Sequence, residues 1–204
     1  MTREAQEPNG QALYDLAAQQ AGYFTAQQAQ EVGFSRPLLV HHTKTGLLER
    51  TQHGIYRLRR FPPSAHEDLF VAWLRIGPKS VISHDSALAL YGLSDALPTQ
   101  IHITAPRGVS LRRNGIRLHS MALCPDEISR WEGLPVTNAA RTIADVTKAG
   151  MQLWLVEQAV RQSLQRGLLL PEHLEAQANR SSQRVQKTLL EILVRAKAAL
   201  EVAR

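Results

Sequence analysis

Between Ser35 and Arg60 the chain carries Arg36, Lys44, Arg50, Arg57, Arg59 and Arg60 against the single carboxylate Glu49, with His41, His42 and His53 among them. Side chains of this kind suit a polyanion partner. They bind polyanions, because each guanidinium or ammonium that meets a phosphate releases a condensed counterion. Arg107, Arg112, Arg113 and Arg117 form a second basic cluster with no acid between them. It suits further contact with nucleic acid, an acidic partner protein, or no partner at all, as a solvated hairpin loop.

Other residues suggest catalysis and do not sustain it. Ser83, His84 and Asp85 are adjacent, and neighbours on a helix diverge by about 100°, so they cannot form a relay of nucleophile, base and orienter. Ser83 reads instead as a helix cap, with Asp85 in the first turn near the positive end of the helix dipole. The eight histidines include no HExxH pair, and the single cysteine, Cys124, offers neither a disulfide nor a zinc-binding CxxC. A metal-dependent nuclease would need a Glu-x-Lys with a further aspartate, a nucleotide-binding enzyme a GxxxxGK, and a nucleotidyltransferase a Gly-Ser pair followed by spaced aspartates; none occurs. The expectation is therefore a protein with no catalytic residue, no metal and no cofactor.

The elements that must hold the first basic set follow from its punctuation. Residues Gln11 to Gln20 place Leu13, Leu16 and Ala17 on one helical face, stopped at Gly22. Thr25 and Gln28 have the capping-box spacing for a second helix that ends at Gly33. Ser35 caps a third, with Pro37 tolerated in its first turn and Gly46 closing it. Helix, glycine turn and helix at this spacing is a helix-turn-helix. Beyond it, "LLERT" and "IYRL" are extended segments joined through Gly54, a β-hairpin wing. On the third helix, positions 37, 40, 41 and 44 share a face, and Leu38, Leu39 and His42 turn to the other helices. Arg36, Pro37, His41 and Lys44 are thereby placed toward a major groove, and Arg50, His53 and Arg57 of the wing toward phosphates or a minor groove.

The remainder reads as α+β. Pro62 and Pro63 forbid helix and put a boundary near Ser64; a helix follows over His66–Ile76, another after Ser83, then strands at "QIHITAP", "GIRLHSM" and "LPVT". Arg141 and Asp145, four apart on a helix, read as a modest ion pair. The last third is helical, and Val185, Leu189, Ile192, Leu193, Ala196 and Leu200 form one stripe, fit for capping the domain, dimerising or docking a partner. The expected domains are a winged helix-turn-helix over 1–63, an α+β domain over 64–180 and a helical extension over 181–204. A formal charge of +6 and a pI near 9.9 agree with a polyanion partner. The polar N-terminus and short apolar runs give no support for export or a membrane span, so a cytoplasmic location is expected.

The order of the segments "GYFTAQQAQEVGFSRPLLVHHTKTGLLERTQHGIYRL", "FPPSAHEDLFVAWLRIGP", "VISHDSALALYGLSD", "IHITAP", "GIRLHS" and "EGLPVTNAARTIADV" resembles the AbiEi family of antitoxins and transcriptional regulators, from about Tyr14 to Gly167. The resemblance implies a winged helix bound to inverted repeats in its own promoter, followed by an antitoxin-type domain. It also implies a type IV toxin–antitoxin pair, linked to phage defence, with a nucleotidyltransferase-type toxin as partner; separately, a monomer or weak dimer that binds DNA cooperatively is expected. There are two departures from the pattern: Thr51, Gln52 and His53 at the wing tip, where arginine or lysine is expected, and Thr43, where an apolar residue is expected. The readings from other classes are a nuclease fused to a winged helix and a protein-interaction module that does not bind DNA. If the antitoxin half of the resemblance holds, sequencing of the flanking DNA will show a nucleotidyltransferase reading frame beside this one; without such a frame the chain is a solitary repressor.

Overall fold

The computed structural model describes residues 7–95, 97–109 and 115–202. The chain folds into two compact units, Met1–Pro78 with Arg130–Leu134, and Lys79–Ser129 with Pro135–Arg204. The architecture is α+β, as the sequence implies.

In the first unit the elements are α1 (Gly10–Ala18), β1 (Tyr23–Thr25), α2 (Ala26–Glu31), α3 (Arg36–Lys44), β2 (Leu48–Gln52), β3 (Ile55–Leu58) and α4 (Glu67–Ile76). The three strands form an antiparallel sheet in the order β1-β3-β2. Because β3 lies in the middle, Ile55 and Tyr56 are both buried, although strand alternation would send one of them to solvent. Gly22, at φ +88°, joins α1 to β1; a Cβ there would lie 2.7 Å from the Phe61 side chain, so only glycine meets both the backbone angle and the space. The Pro62–Pro63 break separates strand from helix, but α4 packs on β1 and β3, and Tyr23 stacks on Phe70 with centroids 5.7 Å apart. The compact grouping therefore runs on to Pro78.

The second unit is built on a five-stranded sheet in the order β6-β5-β4-β8-β7, from β4 (Val81–Ile82), β5 (Ile101–Ala105), β6 (Ile116–Ser120), β7 (Ile128–Trp131) and β8 (Leu134–Thr137). The tip of the β7–β8 hairpin is grouped with the first unit. The helices are α5 (His84–Tyr91), α6 (Ala139–Ala149), α7 (Leu153–Gln165), α8 (Pro171–Asn179) and α9 (Gln183–Val202). One connection differs from the sequence reading: β5 and β6 pair in parallel, Ile101 with Ile116 through Ala105 with Ser120. The loop between them is therefore a crossover and not a hairpin loop. The apolar stripe of α9 faces inward, with Val185, Leu189, Ile192, Leu193 and Ala196 buried, and the helix packs on α6, α7 and α8. Of the three roles open to that stripe, the described residues fill the capping one.

A buried ion network ties the sheet to α6. Arg141 Nε donates to Asp145 Oδ1 at 2.9 Å and its Nη1 to Glu127 Oε1 at 2.7 Å, with all three side chains no more than 8% exposed. This is more than the modest ion pair that the spacing implies, since Glu127 arrives from the turn before β7 and the i,i+4 pair is only half of the arrangement. Burial pushes the Asp145 carboxyl up, and Arg141 offsets that only in part. For Glu127 burial acts the same way, but the Cys124 amide and Arg141 outweigh it and the net direction is down. Removing the cation leaves two carboxylates buried without their counter-charge. Arg141→Ala is accordingly expected to lower unfolding free energy by about 3–5 kcal/mol, measured by chemical denaturation at neutral pH.

Candidate nucleic-acid interface

The local chemistry of the sequence builds the helix-turn-helix. Thr25 Oγ1 accepts from the Gln28 amide at 3.1 Å and Gln28 Oε1 from the Thr25 amide at 2.8 Å, the reciprocal capping box its spacing implies. Gln28 Nε2 then donates to Gln20 Oε1 at 3.0 Å, which locks α2 to the turn after α1. Ser35 Oγ accepts from the Leu38 amide at 3.4 Å and caps α3, while Pro37 sits in the first turn, where no intrahelical donor is lost.

Packing sets the rotation of α3. Leu39 is fully buried in a cluster with Leu13, Ala17, Phe24, Ala29, Phe34, Leu48 and Tyr56, and Leu38 packs against it from the rim. His42 turns inward against Phe34, centroids 5.9 Å apart. Thr43, at the position where the family pattern expects an apolar residue, hides its hydroxyl by donating to the Leu39 carbonyl at 2.8 Å. With that side committed, Arg36, Pro37, Val40, His41 and Lys44 are all exposed. Among the described residues no ion pair engages Arg36 or Lys44. Val40, 48% exposed, adds an apolar spot to this cationic face. The sequence places position 40 on that face without giving it a role.

The wing is the β2–β3 hairpin, Leu48 opposite Leu58 and Gln52 opposite Ile55, with a register irregularity between Arg50 and Gln52 and Gly54 at φ +75° in the turn. Arg50 and His53 are exposed, and Arg50 Nη2 lies 2.9 Å from His53 Nδ1, so the two form one polar tip. Arg57 is placed differently from the sequence expectation. Its Nη2 donates to the Phe61 carbonyl at 2.5 Å, its Nη1 lies 3.7 Å from Glu49, its guanidinium sits 5.7 Å over the Tyr23 ring, and its side chain is only 11% exposed. The reason is strand parity: Arg57 opposes Tyr23 on β1 and Glu49 on β2, in the middle of the sheet rather than at its outer tip.

In the second basic cluster Arg107 and Arg117 are exposed, whereas Arg112 and Arg113 lie outside the described residues. The Ser83–Asp85 run is no relay, but Ser83 is not the side-chain cap it resembles either. Its hydroxyl accepts from Thr104 Oγ1 at 2.8 Å and meets His84 Nδ1 at 3.0 Å. The structure also gathers three histidines that read as scattered in the sequence: His84, His102 and His119, whose ring centroids are 3.5 Å to 5.8 Å apart. Burial lowers all three, to about 3 for His84 and about 4 for His119, where the neighbouring histidines and Arg117 add to it; for His102 Asp85 opposes the shift and Arg117 adds to it. The parallel pairing of β5 with β6 brings His102 and His119 together, and the Ser83 amide, bonded to the His102 carbonyl, brings His84; alternation within "IHITA" and "IRLHS" is the one signal of it that the sequence holds.

Residues 11–59, the span of the helix-turn-helix and wing, match the family model described as transcriptional regulator, AbiEi antitoxin. Among solved structures, the crystal structure of the RV2827C protein from Mycobacterium tuberculosis is similar at a TM-score of 0.54 and 16% identity, over 90% of this chain and 75% of that one. At that identity the likeness concerns the fold. No curated protein gives a significant match. Among the described residues, no helix is long and apolar enough to cross a membrane.

Arg57 and Lys44 make a discriminating pair. Arg57→Ala removes a charge-assisted hydrogen bond and is expected to lower stability by about 1–3 kcal/mol in thermal or chemical melts. Lys44→Ala is expected to leave the melts unchanged.

Proposed function

With residues 11–59 matching the AbiEi antitoxin transcriptional regulators, we propose that this protein is a non-enzymatic, DNA-binding autorepressor, and the antitoxin of a type IV pair whose toxin is of the nucleotidyltransferase type. The observation that carries the DNA half is the division of α3 into a buried Leu39 side and an exposed side where Arg36, His41 and Lys44 have no ion-pair partner among the described residues. A helix about 10–12 Å across fits the roughly 12 Å major groove of B-DNA.

Docking starts with phosphates. Lys44 and the wing residue Arg50 supply sequence-independent attraction, each neutralised phosphate adding about 0.9 to the slope of log K against log salt, and His53 holds Arg50 at the wing tip. Arg36 and Pro37 then enter first, since the N-terminal end of a recognition helix is the part that reaches base edges. A guanidinium there suits the two acceptors of a guanine edge, a contact worth about 1–3 kcal/mol of discrimination. The Val40 methyls suit a thymine methyl. Two copies on an inverted repeat would present two such helices, and a contact between the copies formed on the DNA would make promoter occupancy cooperative without a stable dimer in free solution. The second unit, with Arg107 and Arg117 exposed, is the part left to meet the toxin or further DNA.

The test is a gel-shift titration of the full chain on the DNA upstream of its own reading frame, across a salt series and with Mg²⁺. A retarded, intact duplex with a steep salt slope is expected, and the slope should fall by about one unit in Lys44→Ala. Degradation of the duplex would point to a nuclease, and absence of retardation to a protein-interaction module; either overturns the reading. The double variant Arg36→Ala/Lys44→Ala should lose specific binding with its circular dichroism melt unchanged, and unaltered affinity in that variant refutes the assignment of α3.

A further inference from the structure

We propose that His84, His102 and His119 form a binding site for one zinc-type divalent transition-metal ion in the second compact unit. The three imidazoles come from three elements, His84 opening α5, His102 on β5 and His119 on β6. In the parallel register His119 lies opposite Thr104. His102, two residues before Thr104, projects from the same sheet face. The amide of Ser83 donates to the His102 carbonyl at 3.0 Å, and this bond delivers His84 to that face.

One ring nitrogen from each of the three lies within 4.8 Å of the others. A tetrahedral zinc ion with Zn–N near 2.0–2.1 Å holds its nitrogens about 3.3 Å apart, so the set closes when side-chain rotation unstacks His84 from His119, whose rings lie face to face with centroids 3.5 Å and planes 11° apart.

Two further observations point to a ligand. His102 Nδ1 and His119 Nε2 are buried and without a hydrogen-bond partner among the described residues. Buried imidazole nitrogens normally find a partner, and an ion supplies one to both at once. His84 also holds φ +52°, a left-handed angle that is strained for a non-glycine residue. Strain of this kind clusters at ligand sites.

The neighbours complete a supporting shell. Ser83 Oγ, with two lone pairs, accommodates both the Thr104 hydroxyl and a proton on His84 Nδ1, the tautomer that leaves Nε2 free to coordinate. Of the charged groups facing His102, Asp85 favours a cation and Arg117 opposes it. Three nitrogen donors with no carboxylate set suit zinc and its neighbours rather than magnesium or calcium, which take oxygen ligands. They also leave a fourth position for water.

The experiment uses untagged, metal-stripped full-length protein titrated with Zn²⁺ by calorimetry and with Co²⁺ by visible absorption. One equivalent should bind, the cobalt form should show the intense d–d bands of a tetrahedral site, and His102→Gln or His119→Gln should weaken binding at least about tenfold. His41→Ala/His42→Ala, in the other unit, should bind as the parent does. Circular dichroism melts show whether each variant folds. Should the first two variants misfold, long-range ¹⁵N histidine spectra of the parent decide, because Zn²⁺ must then shift the His84, His102 and His119 imidazoles. No stoichiometric binding, equal binding by the folded variants, or shifts at His41, His42 or His53 instead would overturn the site. None of these readouts involves DNA, so the result stands apart from the regulator reading.

Discussion

The first unit depends on the burial of one leucine. Leu39 is fully enclosed by side chains from α1, β1, α2, β2 and β3, together with Phe34 of the turn between α2 and α3. Burying a leucine is worth about 1.5–3 kcal/mol, comparable with a helix cap and far above any surface charge pair. Its larger consequence is geometric. On a helix of 3.6 residues per turn, fixing position 39 inward fixes which residues point out. The cationic face of α3 is thus a by-product of apolar packing, and the exposed charges need no stabilising partners of their own.

The wing obeys a related constraint. Its strands belong to a three-stranded sheet completed by β1, so the middle strand loses both faces to the interior. Charges near the centre of such a sheet become structural, as Arg57 does among Tyr23, Glu49 and Phe61. Charges at the tip stay free to work outside. Two arginines seven residues apart, Arg50 and Arg57, therefore take opposite roles although their chemistry is identical.

The second unit concentrates its polar groups instead of spreading them. One buried set, Arg141 with Glu127 and Asp145, balances most of its charge internally. The other, His84 with His102 and His119, is held neutral by burial and leaves ring nitrogens unsatisfied. The first set has the character of a clasp between sheet and helix. The second has the character of a receptor, because neutral imidazoles with unused lone pairs gain most from an added cation.

The sequence by itself determined whatever depends on near neighbours in the chain. The capping box of Thr25 and Gln28, the Ser35 cap and the Gly54 turn are interactions within four residues, so their residue types and spacing state them directly. The helical period likewise exposes which side of α3 carries charge, and the order of these elements carries the AbiEi resemblance that the match over residues 11–59 bears out. Only the tertiary structure decided what depends on partners distant in the chain. It withdrew Arg57 from the outer surface, extended the Arg141–Asp145 pair into a buried network with Glu127, and made the β5–β6 connection a crossover. It also assembled three histidines separated by 18 and 17 positions. Strand pairing is chosen by packing between remote segments, and no local spacing encodes which strand lies beside which.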